Sequence, residues 1–249
     1  MIPAKIITPD FLFGKILVFF RTLLDISILL ATKPSMNNLS LSLTILRLKP
    51  KFTMVANENL INLHKYVNSI NLNNIAGDIV ECGVWNGGSA ALMGLTDQTN
   101  SKNHRAIWLF DSFEGLPPPG KNDEEYEKNN YFKGWNKGSM VKVREAFNKL
   151  ELDTSKLKFR KGYFSESLKD TQDLKEIALL HIDSDWYDSV LIVLEKLYDK
   201  VSVGGFIVLD DFNAWQGCNK AVKDFFSSRS IDEIEIFENK RHGAMFIKK

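Results

Sequence analysis

Only two cysteines, Cys82 and Cys218, stand among 249 residues. That is too few for a disulfide framework and fits a reducing, cytoplasmic setting. The histidines are also few, and no Cys/His cluster has zinc-ligand spacing. Charge of one sign is missing: Lys+Arg 32 against Asp+Glu 31 leaves a net charge of +1, so nothing favours a nucleic-acid partner. Long apolar runs are missing too. Phe11–Ala31 is the most apolar stretch, but Lys15, Arg21 and Asp25 interrupt it, and its longest unbroken run is Ile16–Phe20. No transmembrane span is expected from a run so far short of ~20 residues. Nor does it have the uninterrupted core and small-residue cleavage site of a signal peptide. There are no internal repeats and no low-complexity tract. What remains is an ordinary globular composition, 44% hydrophobic and 25% charged, long enough to bury a core without staples.

The apolar N-terminal stretch reads as a helix packed on the main domain or on a partner subunit. Arg21 and Asp25 sit at i, i+4, where they can pair. Pro34 and the Asn/Ser cluster of residues 35–40 then mark a break. This suggests an N-terminal helical extension over 1–55, acting as a lid or in homo-oligomerisation, and a main domain over 56–249. In that domain, apolar strands alternate with helical patterns. Strands are expected at Asp78–Gly83, Ala106–Asp111, Leu157–Arg160, Ile177–Asp183 and Gly205–Asp210. Helices are expected at Ser89–Thr96, Ser189–Tyr198 and Asn219–Ser227. Ile234–Phe237 and Ala244–Ile247 read as a hairpin around Lys240–Gly243. The pattern is that of an α/β protein: a mostly parallel sheet, helices on both faces, and antiparallel strands at one edge. Pro117–Gly138 is Pro/Gly/Lys/Glu/Asn-rich and aperiodic. A loop of that length in a compact domain is usually functional, so it is a candidate lid.

Ligands of open α/β sheets bind at the carboxyl ends of strands, and the residues there carry the chemistry. After the first strand, glycines stand at Gly83, Gly87 and Gly88, where they let the backbone approach a ligand. The spacing is not G-x-G-x-x-G, which disfavours a nicotinamide dehydrogenase. Glu81 suits a positively charged ligand end. Asp111 ends the second strand beside the glycine turn, where it can accept both ribose hydroxyls or simply form an Asx-turn. The fourth strand ends in His181-Ile-Asp-Ser-Asp-Trp-Tyr-Asp-Ser189 and the fifth in Asp210-Asp211. If these strands are neighbours, Asp183, Asp210 and Asp211 converge. Such carboxylates repel unless protons or a cation intervene, and an all-oxygen set suits Mg²⁺. Asp185 is a candidate general base. His181 is either a second candidate or a satisfied polar residue near the core. Asp188 reads as a cap of the following helix.

Four segments together, Gly77–Ser89 (GDIVECGVWNGGS), Phe110–Pro118 (FDSFEGLPP), His181–Ser189 (HIDSDWYDS) and Gly204–Asp211 (GGFIVLDD), resemble the macrocin O-methyltransferase (TylF/MycF/NovP-type) family. The resemblance runs from about Thr53 to Phe226. It departs at Asn86, where the family more often has Arg, and at Ser184, where it has Gly. It implies a Rossmann-like class I methyltransferase with a seven-stranded sheet, dependent on S-adenosylmethionine and Mg²⁺, that methylates a sugar hydroxyl of a glycosylated natural product or polysaccharide precursor. By the same resemblance, Glu81, Gly83, Gly87, Gly88 and Ser89 would hold the methionine end of the cofactor. Asp111, Ser112 and Phe113 would hold the ribose, and Gly162–Ser165, with Gly162 and Phe164, would line the adenine. Asp183 would meet both cofactor and metal, with Asp210 and Asp211 completing the Mg²⁺ ligands and Asp185 matching the base. Two alternatives stay open: a catechol-type enzyme acting on a vicinal phenol, which more often has Asp-Asn where Asp210-Asp211 stands, and a non-catalytic adenosyl-binding scaffold.

Overall fold

Alternation along the strands sets the plan of the molecule. In β1 (Asp78–Cys82), Ile79 joins one core cluster while Val80 and Cys82 join the other. The same division recurs in β2 (Ile107–Asp111), where Leu109 joins the first cluster and Trp108 and Phe110 the second. Strands apolar on both faces must be covered on both, and helices do this. The computed structural model describes residues 20–27, 36–101, 104–229, 231, 235–239 and 243–249. The expected turn residues Lys240 to His242 and the first hairpin position, Ile234, lie outside them, as does most of the expected helix over Phe11–Ala31.

A first helix, α1, covers residues 20–27, followed by α2 (Met36–Leu48) and α3 (Asn57–Leu72). The remaining helices are α4 (Gly88–Asn100), α5 (Glu125–Asn130), α6 (Met140–Lys149), α7 (Phe164–Ser167), α8 (Tyr187–Leu197) and α9 (Gln216–Ser228). The other strands are β3 (Leu157–Lys161), β4 (Ile177–Ile182), β5 (Val201–Leu209), β6 (Phe237–Glu238) and β7 (Ala244–Ile247). Together they form a seven-stranded sheet in the order β3-β2-β1-β4-β5-β7-β6. Its first five strands pair in parallel, and β7 runs antiparallel to both β5 and β6. The expected α/β architecture with its terminal antiparallel strands is borne out. β5 begins earlier than expected because Val201 pairs with Ile177, ahead of a register shift in β4–β5 pairing.

The order reverses between β1 and β4, the topological switch point at which open α/β sheets bind ligands. One core cluster gathers residues of α2, α3, α4 and α6, including Ile45, Leu60, Ala91 and Phe147. The other gathers α8 and α9, including Val193, Leu194, Val222 and Phe225. The chain before α3 is part of the first cluster: Leu41, Ile45, Leu48, Phe52 and Val55 are all buried in it. The Phe52 carbonyl accepts the Gly88 amide (2.8 Å), which fastens this segment to the start of α4. Asp25 Oδ2 accepts from Asn57 Nδ2 (2.8 Å), tying α1 to α3. No helix among the described residues is long and apolar enough to cross a membrane.

Phe52 is 1% exposed. Phe52→Ala is expected to lower unfolding free energy by ~3–5 kcal/mol, measured by urea denaturation. A loss below ~1 kcal/mol would show that the segment merely rests on the domain.

Candidate active site

The site is built by strand ends that stop level. β4 and β5 are paired up to Ile182 and Leu209, so Asp183 and Asp210 follow side by side, and the Asp210 amide donates to the Ile182 carbonyl (3.0 Å). On the other flank, the Asp183 amide donates to the Cys82 carbonyl (2.9 Å). Gly83 there has φ +92°, and a Cβ would stand 1.7 Å from the Asp183 carbonyl oxygen. Only glycine permits that approach.

In front of these tips lies a cavity of ≈ 490 Å³. Gly83, Asp111, Ser112, Gly162, Phe164 and Asp183 line it, as does Asp185. The other expected binding residues lie elsewhere, for reasons of packing. Glu81 is fully buried and hydrogen-bonds through Oε1 to His181 Nδ1 (2.9 Å); the two are register partners across β1 and β4. Neither lines the cavity; His181 Nε2 and Glu81 Oε2 are buried without a partner. A Cβ on Gly87 would meet Val143 of α6, and one on Gly88 would meet Thr53 and Phe52. Those glycines thus admit neighbouring chain. The Gly87 amide donates to the Val84 carbonyl (2.8 Å). Ser89 is buried in α4. Phe113 is buried in the first core cluster and packs on the Phe159 ring (6.3 Å).

Asp111 shows the Asx-type role strongly. Its Oδ2 accepts the Val84 and Trp85 amides (2.7 and 2.9 Å), and its Oδ1 accepts that of Phe113 (2.6 Å). Burial raises its carboxyl above the ordinary range, and these amides offset part of the rise. It remains on the cavity wall, with lone pairs left for a further donor.

Asp183, Asp185 and Asp211 are the group able to share an ion among the described residues, each offering an oxygen within 4.8 Å of the others. Asp210 stands outside this trio, because Asn59 Nδ2 of α3 donates to its Oδ1 (2.7 Å). Burial is the main cause that raises all four carboxyls. Asp183 is pushed well up by burial and then by the Asp210 charge. Asp211 is also pushed well up, by burial and then by Asp185. Asp185 rises to about 6, with hydrogen bonds to Asp211 and Trp215 offsetting part of its burial. His181 is raised: burial lowers it, but the Glu81 hydrogen bond and charge, with those of Asp210 and Asp183, outweigh that. The α2 end adds Lys49, which burial lowers to about 8 despite the opposing pull of Asp210 and Asp25.

The expected lid, Pro117–Gly138, covers the cavity with Pro117, Pro118, Gly120 and Asn136. Its order comes from its own bonds: the Leu116 amide donates to the Trp135 carbonyl (2.8 Å), and α5 carries a capping box formed by Glu124 and Glu127. Asp188 lies within the first turn of α8 and on the cavity wall, so it does not cap that helix. Trp85, in the turn to Gly88, and Tyr163, in the expected Gly162–Ser165 stretch, also line the cavity, as do Met54 and Trp186, to which sequence reasoning assigned no role.

The family model for macrocin O-methyltransferase (TylF) matches residues 46–246. The chain belongs to that family. It is therefore an O-methyltransferase of Rossmann-like fold. The demethyldecarbamoylnovobiocin O-methyltransferase of Streptomyces niveus is 32% identical over 186 residues, 73% of this chain and 71% of its own length. A tetracenomycin 4'-O-methyltransferase of Streptomyces olivaceus, named for a dimethoxy-rhamnosyl substrate, is 32% identical over 184 residues, covering 73% and 70%. Among solved structures, the O-methyltransferase NovP superposes with a TM-score of 0.73 at 30% identity, covering 80% of this chain and 82% of its own.

The raised carboxyls make a prediction. A group whose folded-state value lies above its unfolded value stabilises fully below the unfolded value and loses that contribution as pH rises through the folded one. For Asp185 the window runs from 3.8 to about 6, and Asp183 and Asp211 extend it upward. The Tm of the metal-free methyltransferase should fall as pH rises through this window, and Mg²⁺ should raise Tm more at about pH 7.5 than at about pH 5. Differential scanning calorimetry with and without Mg²⁺ checks both; an equal Mg²⁺ effect at both pH values would contradict the assignment.

Proposed function

We propose that this enzyme transfers the methyl group of S-adenosylmethionine to a hydroxyl of a sugar moiety, with Mg²⁺ held by its strand-end carboxylates. The observation that carries the reading is the meeting of Asp183, Asp185 and Asp211 within 4.8 Å beside a cavity of ≈ 490 Å³. The relatives' printed names, one with a rhamnosyl substrate, supply the sugar.

The residues fit a hard cation. The donors are all carboxylate oxygens, and Asp211 Oδ2 is buried without a partner. Burial and the neighbouring carboxylates push the Asp183 and Asp211 carboxyls well up, and a cation beside them would favour their charged form. Asp183 and Asp211 would hold Mg²⁺, with Asp185 beside them as the proton acceptor; Asp210, bonded by Asn59, would support the site from outside that trio. When bound there, Mg²⁺ would supply Lewis-acid polarisation of an acceptor hydroxyl. The cofactor would supply a sulfonium-activated methyl group.

Asp185 is the group suited to take the hydroxyl proton. Burial raises it to about 6 without the push well up that Asp183 and Asp211 receive, and a base works best with a pKa near the operating pH. Gly83 would admit the cofactor to the strand tips. Asp111 and Ser112 would meet its ribose, and Gly162 to Ser165 its adenine. The lid residues Pro117, Pro118 and Asn136 keep water from the cavity, which matters for a reaction that neutralises charge. Residues 1–55 would serve assembly into a homo-oligomer and shaping of the acceptor side, through Met54 on the cavity wall.

Incubating the enzyme with a rhamnosyl glycoside, S-adenosylmethionine and Mg²⁺ should give a mass gain of one methyl group. Asp183→Ala and excess EDTA should each abolish it, and full turnover under EDTA would refute the metal role. Asp185→Asn should lower kcat by ~10²–10⁴-fold while S-adenosylhomocysteine still binds, measured by calorimetry.

A further inference from the structure

The segment that carries Asp185 has an unusual backbone. Asp185 sits at φ +57°, a left-handed conformation that a non-glycine residue keeps only when its surroundings hold it there. Two residues later, α8 begins, and its own flank supplies no side-chain cap. The acceptor comes from 64 residues earlier in the chain. Asp123 of the lid accepts the Tyr187 amide through Oδ1 (2.8 Å) and the Gly120 amide through Oδ2 (2.6 Å). It is 5% exposed. The start of α9 is shaped around it: a Cβ on Gly217 would stand 2.1 Å from Asp123 Oδ1. A second tie lies beside the first, where Trp186 Nε1 donates to the Pro117 carbonyl (2.9 Å). The Trp135 ring of the lid adds an edge contact on Trp186 (6.1 Å).

We propose that Asp123 is a positioning residue: it joins the lid to the Asp185–Tyr187 segment, so that the cavity cover and the proton acceptor move as one body. The inference rests on the reading of Asp185 as the base. With the lid down, the amide of Tyr187 is anchored and the Asp185 backbone is held. When the lid lifts, α8 loses its cap and Asp185 its fixed place. The base is thus assembled only when the cavity is covered. Gly217 keeps the carboxylate's path clear and Trp186 doubles the tie.

Three variants test this: Asp123→Ala, Asp123→Asn and Gly217→Ala. Asp123→Asn retains an acceptor oxygen for the Tyr187 amide. Gly217→Ala leaves Asp123 in the chain but pushes a methyl group into its place, at a helix position where alanine favours folding. Steady-state methyl transfer should show kcat reduced about 10- to 100-fold in Asp123→Ala and in Gly217→Ala, with KM changing less than kcat. Asp123→Asn, which keeps an acceptor for the Tyr187 amide but turns its NH2 toward the Gly120 amide, should recover part of the loss. Without any turnover, trypsin should cut the lid at Lys121 and Lys133 faster in the two damaged variants than in the wild type. Unchanged kcat in both Asp123→Ala and Gly217→Ala overturns the proposal, as does unchanged lid cleavage in both. A failure of the base reading looks different: Asp185→Asn would then keep full kcat, whatever the cleavage rates of the lid variants.

Discussion

Like charges brought together by strand pairing are the constraint around which this molecule is arranged. Because β4 and β5 run level to Ile182 and Leu209, Asp183 and Asp210 cannot avoid one another, and Asp211 follows at once. Because all three are partly buried, that repulsion is screened less than it would be between surface charges. The neighbouring structure answers it in several ways. Asn59 donates to Asp210. Lys49 brings a cation from the end of α2. His181 lies beneath, its imidazole raised above the ordinary range because the hydrogen bond and charge of Glu81 outweigh burial. Asp183, Asp185 and Asp211 still each offer an oxygen within 4.8 Å of the others.

The segments on either side of the cavity are parts of the same construction. The chain before α3 buries Leu48 and Phe52 against the helices of the first core and carries Lys49 between them. The lid has an analogous double attachment, to itself through Gly115 and Trp135 and to α8 through Asp123. At Gly115, φ is +101° and a Cβ would meet the Trp135 carbonyl at 2.6 Å, so the fold of the lid requires glycine there. A stretch that is aperiodic in sequence is thus specific in structure.

The strands and the parallel α/β plan were legible from the sequence because they follow from local pattern: apolar runs ending in aspartate, alternating with helical stretches. That the acids would meet depended on β4 and β5 being neighbours, which pattern allows and pairing supplies, and the trio that meets includes Asp185 in place of Asp210. Gly83 was legible from local pattern as well. Gly87 and Gly88 were not, since the pattern shows that backbone approaches something but not what, and here it is Val143 and Phe52. Glu81 looked like a ligand because it precedes the glycine turn; its partner, His181, is 100 residues away, and the pairing appears only when β1 and β4 are aligned. Asp188 looked like a cap because of its place before a helix, whereas the cap comes from Asp123 in a distant loop. Asn59 and Lys49 carry no motif at all. Local spacing reported the strand tips faithfully, and what it missed was every contact made between elements far apart in the chain.

The tie between Phe52 and Gly88 bears on which ligands this sheet turns away. The amides of Gly87 and Gly88, at the opening of α4, are already spent on the carbonyls of Val84 and Phe52. Free amides at such a helix start are what ordinarily cradle a pyrophosphate. With these two plugged by chain, and acids crowding the adjoining strand ends, a polyphosphate would meet repulsion without compensation. The same packing that secures the N-terminal segment thus takes these two amides out of reach of a ligand.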